Sequence, residues 1–157
     1  MRGREVSAGI LLYRLVSGVE VLLAYPGSPF ARGNVGRWTI PKGRAERDER
    51  LLDAARREFQ EEVGLVAPDS LMSLGSAMQA RKIIHIWAWR GPREVETVPR
   101  GVERTEWPRG SGRWLEHPEV RRSQWFELAE ARVRIVPSQA VFLGRLEAAL
   151  RGDAATS

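Results

Sequence analysis

An α/β architecture, with helices packed on both faces of a mixed sheet, is expected from three features of this 157-residue chain. Apolar runs of strand length come first, at Val6 to Val16 and Val19 to Tyr25. A stretch with helical spacing follows at Asp48 to Val63, and a second begins at Pro137. More apolar runs lie between the two. Strands interleaved with helices in one small domain bury their apolar faces only as stacked layers. We assign residues 1–150 to a single domain and residues 151–157 to a polar, flexible C-terminal tail expected to fray.

Each element has its own warrant. Ser17-Gly18 breaks the first apolar run into two adjacent strands. Pro26-Gly27-Ser28-Pro29 and Gly33-Asn34-Val35-Gly36 mark a loop. Trp38-Thr39-Ile40 reads as a short strand stopped by Pro41. In the first helix Leu52, Ala55, Phe59 and Val63 form one apolar stripe, Asp48 suits an N-cap and Gly64 a C′ glycine. Leu71 to Gln79 and Lys82 to Trp89 read as two more strands. In the second, Ile84, Ile86 and Ala88 alternate with Ile83, His85, Trp87 and Trp89, so both faces are expected to be covered. Gly91 to Ser123 is rich in Pro and Gly and reads as a long loop, a length often tied to function. Gln124 to Leu128 reads as a strand. The final helix is expected to turn Val141, Phe142, Leu146 and Leu150 to the core.

Composition removes several classes of function. There is no cysteine, which excludes disulfide scaffolds, thiolate zinc sites and cysteine nucleophiles. No apolar run reaches the roughly 18 residues of a membrane span, and the N-terminus lacks a cleavage site. A cytoplasmic protein without a membrane partner is expected. The net charge is +5, and Lys42 and Lys82 are the only lysines among 25 basic residues. Arginine binds phosphate bidentately, which suits an anionic ligand. The arginines are scattered, however, and a genome biased toward arginine codons explains them as well.

Chemistry concentrates between Gly43 and Leu65. Gly43 is followed after five residues by Glu49, and after seven more by Arg57-Glu58-Phe59-Gln60-Glu61-Glu62-Val63-Gly64-Leu65. At about 100° per residue, Glu58, Glu61 and Glu62 share one helical face. Three carboxylates so close repel one another, and near a helix C-terminus they also oppose the macrodipole. A hard cation such as Mg²⁺, which takes oxygen ligands and is shared with substrate phosphates, gives that arrangement a purpose. A solvated acidic helix end is the plainer alternative. Arg57 can brace the helix by reaching back to Glu49.

The pattern resembles the signature of the Nudix hydrolases at all seven fixed residues, with Phe59 and Leu65 in its two apolar slots. Trp38-Thr39-Ile40-Pro41-Lys42-Gly43 is similar to the lead-in of diadenosine polyphosphate hydrolases. Ser7 to Leu12, Glu103 to Pro108 and Gln124-Trp125-Phe126 resemble segments of a subgroup described as predicted nucleoside triphosphate pyrophosphohydrolases. The resemblance implies an α/β/α sandwich and Mg²⁺-dependent hydrolysis of a phosphoanhydride in a nucleoside polyphosphate, with Mn²⁺ as an alternative ion. It implies that Glu62 and the Gly43 carbonyl hold metal, and that Glu58 and Glu61 hold it directly or through water. Glu58 is also a candidate base, and Glu49 and Arg57 orient the loop and helix. Glu103 and Glu106 are candidate bases outside the helix.

Lys42, Arg44 and Arg37 flank the motif and are candidates for substrate phosphates, Lys42 foremost. Trp38 is a candidate for stacking on a base, or else a core residue. His85, on an apolar strand face, reads as a packing residue, and His117 carries less signal still. Trp87, Trp89 and Trp125 read as core, whereas Trp107 and Trp114 fall in the long loop. The substrate expectation is a nucleoside triphosphate or a dinucleoside polyphosphate, and an RNA 5′ end is favoured only by charge. A non-catalytic nucleotide- or RNA-sensing module on the same fold is the alternative. The apolar strand faces are compatible with a homodimer without requiring one.

Overall fold

The computed structural model describes residues 4–25, 36–91, 102–118 and 122–155. Its strands are β1 (Val6–Leu15), β2 (Val19–Tyr25), β3 (Lys42–Arg44), β4 (Met72–Gln79), β5 (Lys82–Arg90), β6 (Val102–Glu106), β7 (Trp114–Pro118) and β8 (Arg122–Glu127). Its helices are α1 (Leu51–Val63), α2 (Leu128–Arg134) and α3 (Ala140–Ala155). The main sheet runs β4-β5-β1-β2-β8, and β3 joins it beside β1. β1 pairs parallel with β5 and antiparallel with its other neighbours, so the sheet is mixed.

β1 is central for a reason visible in its residues. It is apolar on both faces, and only a strand covered on both faces can keep such a pattern. Ala8, Ile10 and Leu12 pack with Ala54, Ala55 and Phe59 of α1. Leu11 and Tyr13 turn the other way, toward Ala131 of α2 and Phe142, Leu143 and Leu146 of α3. β5 follows the same rule: Ile84, Ile86 and Ala88 face the α2–α3 side, and Trp87 and Trp89 the α1 side. The expected two-sided sandwich is therefore the observed architecture. β1 also carries the active segment, because its opposite edge pairs with β3 early and with β2 late.

α1 forms because its apolar stripe meets β1. Phe59 is fully buried, edge-on to Trp89 with ring centroids 5.7 Å apart. Burying such a side chain contributes about 1.5–3 kcal/mol. The helix starts later than expected: Asp48 is not its cap but sits at φ 66°, and Arg50 precedes the first turn. A turn wins over the helix there, because the Glu49 amide donates to the Glu46 carbonyl. The C-terminus is as expected, with Gly64 at φ 87° and its N–H on the Gln60 carbonyl. A side chain at that φ would be strained.

Other boundaries also move. Trp38-Thr39-Ile40 makes only single bridges, to Ala24 and Ile135, and the strand in this region is Lys42–Arg44. The long loop contains the hairpin β6–β7, with Glu106 opposite Trp114. Its alternating charges and exposed Trp107, Trp114 and Leu115 give no apolar strand face to detect. Residues 92–101 and 119–121 lie outside the described residues. α2 was not expected, since it is short and buries only Ala131. Val141 is exposed, and Leu143 takes its place in the core. α3 continues through Ala155, so the segment read as a fraying tail is helical to that point. Among the described residues, no helix is long and apolar enough to cross a membrane.

Candidate active site

The pairing of β3 with β1 sets Gly43 opposite Ala8, with α1 packed over both. Glu58, at the start of the third turn of α1, lays its carboxylate directly on the Gly43 backbone. A Cβ built on Gly43 would overlap the carboxylate carbon and both its oxygens. Only glycine permits that approach. The loop from Arg44 to Arg50 then bridges β3 and α1, and its shape is held by one side chain.

That side chain is Arg57. Its Nε and Nη2 donate to the two carboxylate oxygens of Glu49, at 2.9 and 3.0 Å. Nη2 also donates to the Arg44 carbonyl at 3.1 Å. Nη1 donates to Glu58 at 2.9 Å and to Glu61 at 3.4 Å. One guanidinium thus ties loop, strand and helix together, a use its fixed fork of donors suits. Glu49 further accepts the Glu46 amide at 3.0 Å. The Arg57 hydrogen bond holds the Glu49 carboxyl below its ordinary range, with the Glu46 amide adding to the effect. The Glu49 and Glu58 carboxylates in turn hold the Arg57 guanidinium firmly in its cationic form.

Lys42 is half-buried at the start of β3. Burial lowers its pKa, nearby Lys82 lowers it further, and Glu62, Glu5 and Glu58 work against both. Lys42 therefore lies in the field of two of the motif carboxylates. A cavity of about 470 Å³ beside the motif is lined by Arg44, Ala45, Glu46, Arg47, Arg57 and Glu58. Arg47 had no signal in the sequence reading, because it falls in the motif's unspecified gap.

The remaining candidates are placed as follows. Trp38 is 4% exposed and packs against Tyr25 and Phe126, the core placement given above as the alternative to base stacking. It borders a separate cavity near α2 whose lining includes none of the motif residues. Glu106 accepts the Gly112 amide at 2.9 Å inside its own hairpin. Glu103 lies on β6, and its side chain and that of His117 are outside the described residues. His85 shares a 2.8 Å hydrogen bond with the Ser73 hydroxyl and stacks on Trp87. That is a packing role, and burial lowers its pKa.

Among the described residues, no three acidic or histidine side chains converge as a ready-made metal centre. Arg57 instead draws Glu58 and Glu61 into its own hydrogen bonds. The donor chemistry nevertheless fits a hard cation. Carboxylate oxygens on α1 stand beside a bare glycine backbone, with no sulfur or imidazole among them.

Comparison with known proteins identifies the family to which this fold belongs. The model of the family described as NUDIX domain matches residues 3–146. No curated protein matches the chain. Among solved structures, an Ap4A hydrolase of C. elegans in a binary complex shares 23% identity at a TM-score of 0.62, covering 94% of this chain and 98% of that one. A mutT/nudix family protein from Listeria innocua shares 18% identity at a TM-score of 0.68, covering 99% and 100%. The NUDIX domain of Shewanella oneidensis NrtR, solved with ADP ribose, shares 14% identity at a TM-score of 0.64, covering 96% and 90%. At these identities the likeness is one of fold.

Proposed function

The chain belongs to the Nudix family and is a hydrolase of pyrophosphate bonds, and from that premise we propose a Mg²⁺-dependent enzyme that cleaves a nucleoside polyphosphate by water attack. The observation that carries this reading is the intact acidic face of α1, with Glu58 seated on Gly43 and Arg57 joined to Glu49. A fold kept only for nucleotide sensing has no need to retain that costly cluster.

Glu62, Glu58, Glu61 and the Gly43 carbonyl are the residues that would hold Mg²⁺, or Mn²⁺ in its place. The ion would supply positive charge against the phosphate oxygens and acidify water. Glu58 is the base candidate within the helix, because it lies where loop, strand and helix meet. It takes a proton as water oxygen bonds to phosphorus and the anhydride oxygen leaves with the bond electrons. Glu106 is a base candidate outside the helix, and its carboxylate accepts the Gly112 amide. Glu103 stays a candidate on sequence grounds. Lys42 and Arg44 meet the phosphates, and Arg57 with Glu49 keeps the loop in register.

The proposed substrate is a nucleoside triphosphate or a dinucleoside polyphosphate. Product analysis on a panel tests it: nucleoside triphosphates, diadenosine polyphosphates, ADP-ribose and a 5′-triphosphorylated RNA. Turnover confined to the first two groups is expected. Turnover of RNA or ADP-ribose alone would reassign the substrate. Tight nucleotide binding without turnover would instead favour the sensing module.

A further inference from the structure

Ser7 and Gln139 are the two buried polar side chains among the described residues, and Gln139 has no exposed surface at all. An amide buried without partners costs about 1–3 kcal/mol, so its bonds show what it is there to hold. Gln139 closes the single 3₁₀ turn Pro137–Gln139 that leads into α3. Its Oε1 accepts the Ile40 amide at 2.9 Å, and its Nε2 donates to Gln79 Oε1, at the end of β4, at 3.1 Å.

Ile40 belongs to the strap that delivers the chain to the motif. Along this strap Gly36 donates to the Val133 carbonyl, Arg37 and Trp38 to that of Arg134, and Thr39 to that of Ala24. Every one of those amides meets a backbone acceptor. Ile40 alone meets a side chain. The next residue, Pro41, accepts the Ile10 amide of β1 at 3.1 Å, and Lys42 and Gly43 follow at once. Gly43 has no slack, because its backbone already touches the Glu58 carboxylate.

We infer that Gln139 is a positioning residue: by clamping Ile40, it sets where Lys42 and Gly43 stand against the carboxylates of α1. The inference rests on the reading of that face as a metal and phosphate site. It assigns a role in the reaction to a residue far along the chain, on the opposite side of the sheet from α1. Misplacing a catalytic constellation slightly is costly even when the altered residue never meets substrate.

The test compares Gln139→Leu with Gln139→Glu. Leucine fills the site but cannot accept the Ile40 amide. Glutamate keeps the acceptor, and an inverted Gln79 amide can donate to its second oxygen. Three readouts are taken on folded protein: Ile40 amide exchange by NMR, Mn²⁺ affinity by electron paramagnetic resonance, and kcat against KM. Gln139→Leu is expected to speed Ile40 exchange, weaken Mn²⁺ binding, and lower kcat about tenfold with KM changed less than about twofold. Gln139→Glu should recover most of that loss. Folded Gln139→Leu with wild-type Mn²⁺ affinity and kcat would overturn the inference, whatever its melting temperature. Equal losses in both variants would also overturn it, since packing alone would then explain them. Should Gln139→Leu not fold, Gln79→Leu removes only the outer anchor and should shift the same readouts in the same direction; wild-type values there overturn the inference. A wild type that binds no Mn²⁺ overturns this inference and the proposed function together. One that binds Mn²⁺ but hydrolyses nothing overturns the proposed function alone.

Discussion

Arg57 and Lys42 divide the site's electrostatics between structure and chemistry. Arg57 spends its donors on Glu49, Glu58, Glu61 and the Arg44 carbonyl, so its charge is consumed internally. Charge-assisted hydrogen bonds of this kind are worth about 1.5–3 kcal/mol each when shielded from water, and less here, where both partners keep some exposure. Arg57→Met is expected to lower unfolding stability by about 1–3 kcal/mol in denaturant titrations. The sign with pH follows from Glu49, whose carboxyl titrates below its ordinary 4.5. Its contribution is complete above that value and is lost as pH falls through the folded pKa. The gap between wild type and Arg57→Met should therefore narrow in acid; a gap constant from neutral pH to well below 4.5 would contradict the pairing. Lys42 runs the other way. Burial pulls its pKa below 10.5, so its charged form is disfavoured in the fold at neutral pH, and that cost disappears only as pH rises through the folded value toward 10.5. Lys42→Met should accordingly raise the melting temperature while lowering kcat/KM by about tenfold or more. A variant that is both less stable and fully active would refute a phosphate role for Lys42.

Gly43 decides how β3 and α1 meet, and Gly64 how α1 ends. Gly43→Ala places a methyl group on the Glu58 carboxylate, and either the strand or the helix must yield. Activity should fall at least about a hundredfold, while far-UV circular dichroism stays that of the wild type. An active Gly43→Ala enzyme would mean that Glu58 is not needed where it sits. Gly64→Ala strains a left-handed C-cap and should cost about 1–2 kcal/mol of stability without that loss of turnover. α1 itself was legible because its information is local: spacings of three and four gave the stripe, and the motif fell on one face of it. Its start was not legible: the reach of Arg57 back to Glu49 was expected and is present, but nothing in the sequence marked the turn from Glu46 to Glu49 that displaces the cap. The hairpin β6–β7 was missed for a different reason. Strand periodicity shows only where one face is buried, and Trp114 and Leu115 are exposed.

The molecule as a whole brings together segments that are distant in sequence. β1 was readable as a strand covered on both faces, and the layered sandwich follows from that. The clamp from Gln139 to Ile40 was not readable, since a lone glutamine before an apolar helix looks the same whether it is buried or solvated. Trp38 was left open between core and ligand on the same ground, since an aromatic in an apolar run does not announce which will cover it; it lies 4% exposed among core residues. Ion binding should also register globally. Mg²⁺ binding only the folded state would stabilise by about 2.7 kcal/mol at a hundredfold excess over its Kd. The melting temperature of the wild type should rise with Mg²⁺, and that of Glu62→Gln should rise less.

The most direct measurement is turnover of a nucleoside polyphosphate by wild type and Glu62→Gln, each with Mg²⁺ and with chelator. Glutamine keeps the size of the side chain and removes the charge proposed to hold the ion. Hydrolysis by the wild type that chelator abolishes, and that Glu62→Gln lacks while folded, is the expected result. Turnover that survives chelator, or that survives in Glu62→Gln, would contradict the role assigned to the acidic face of α1.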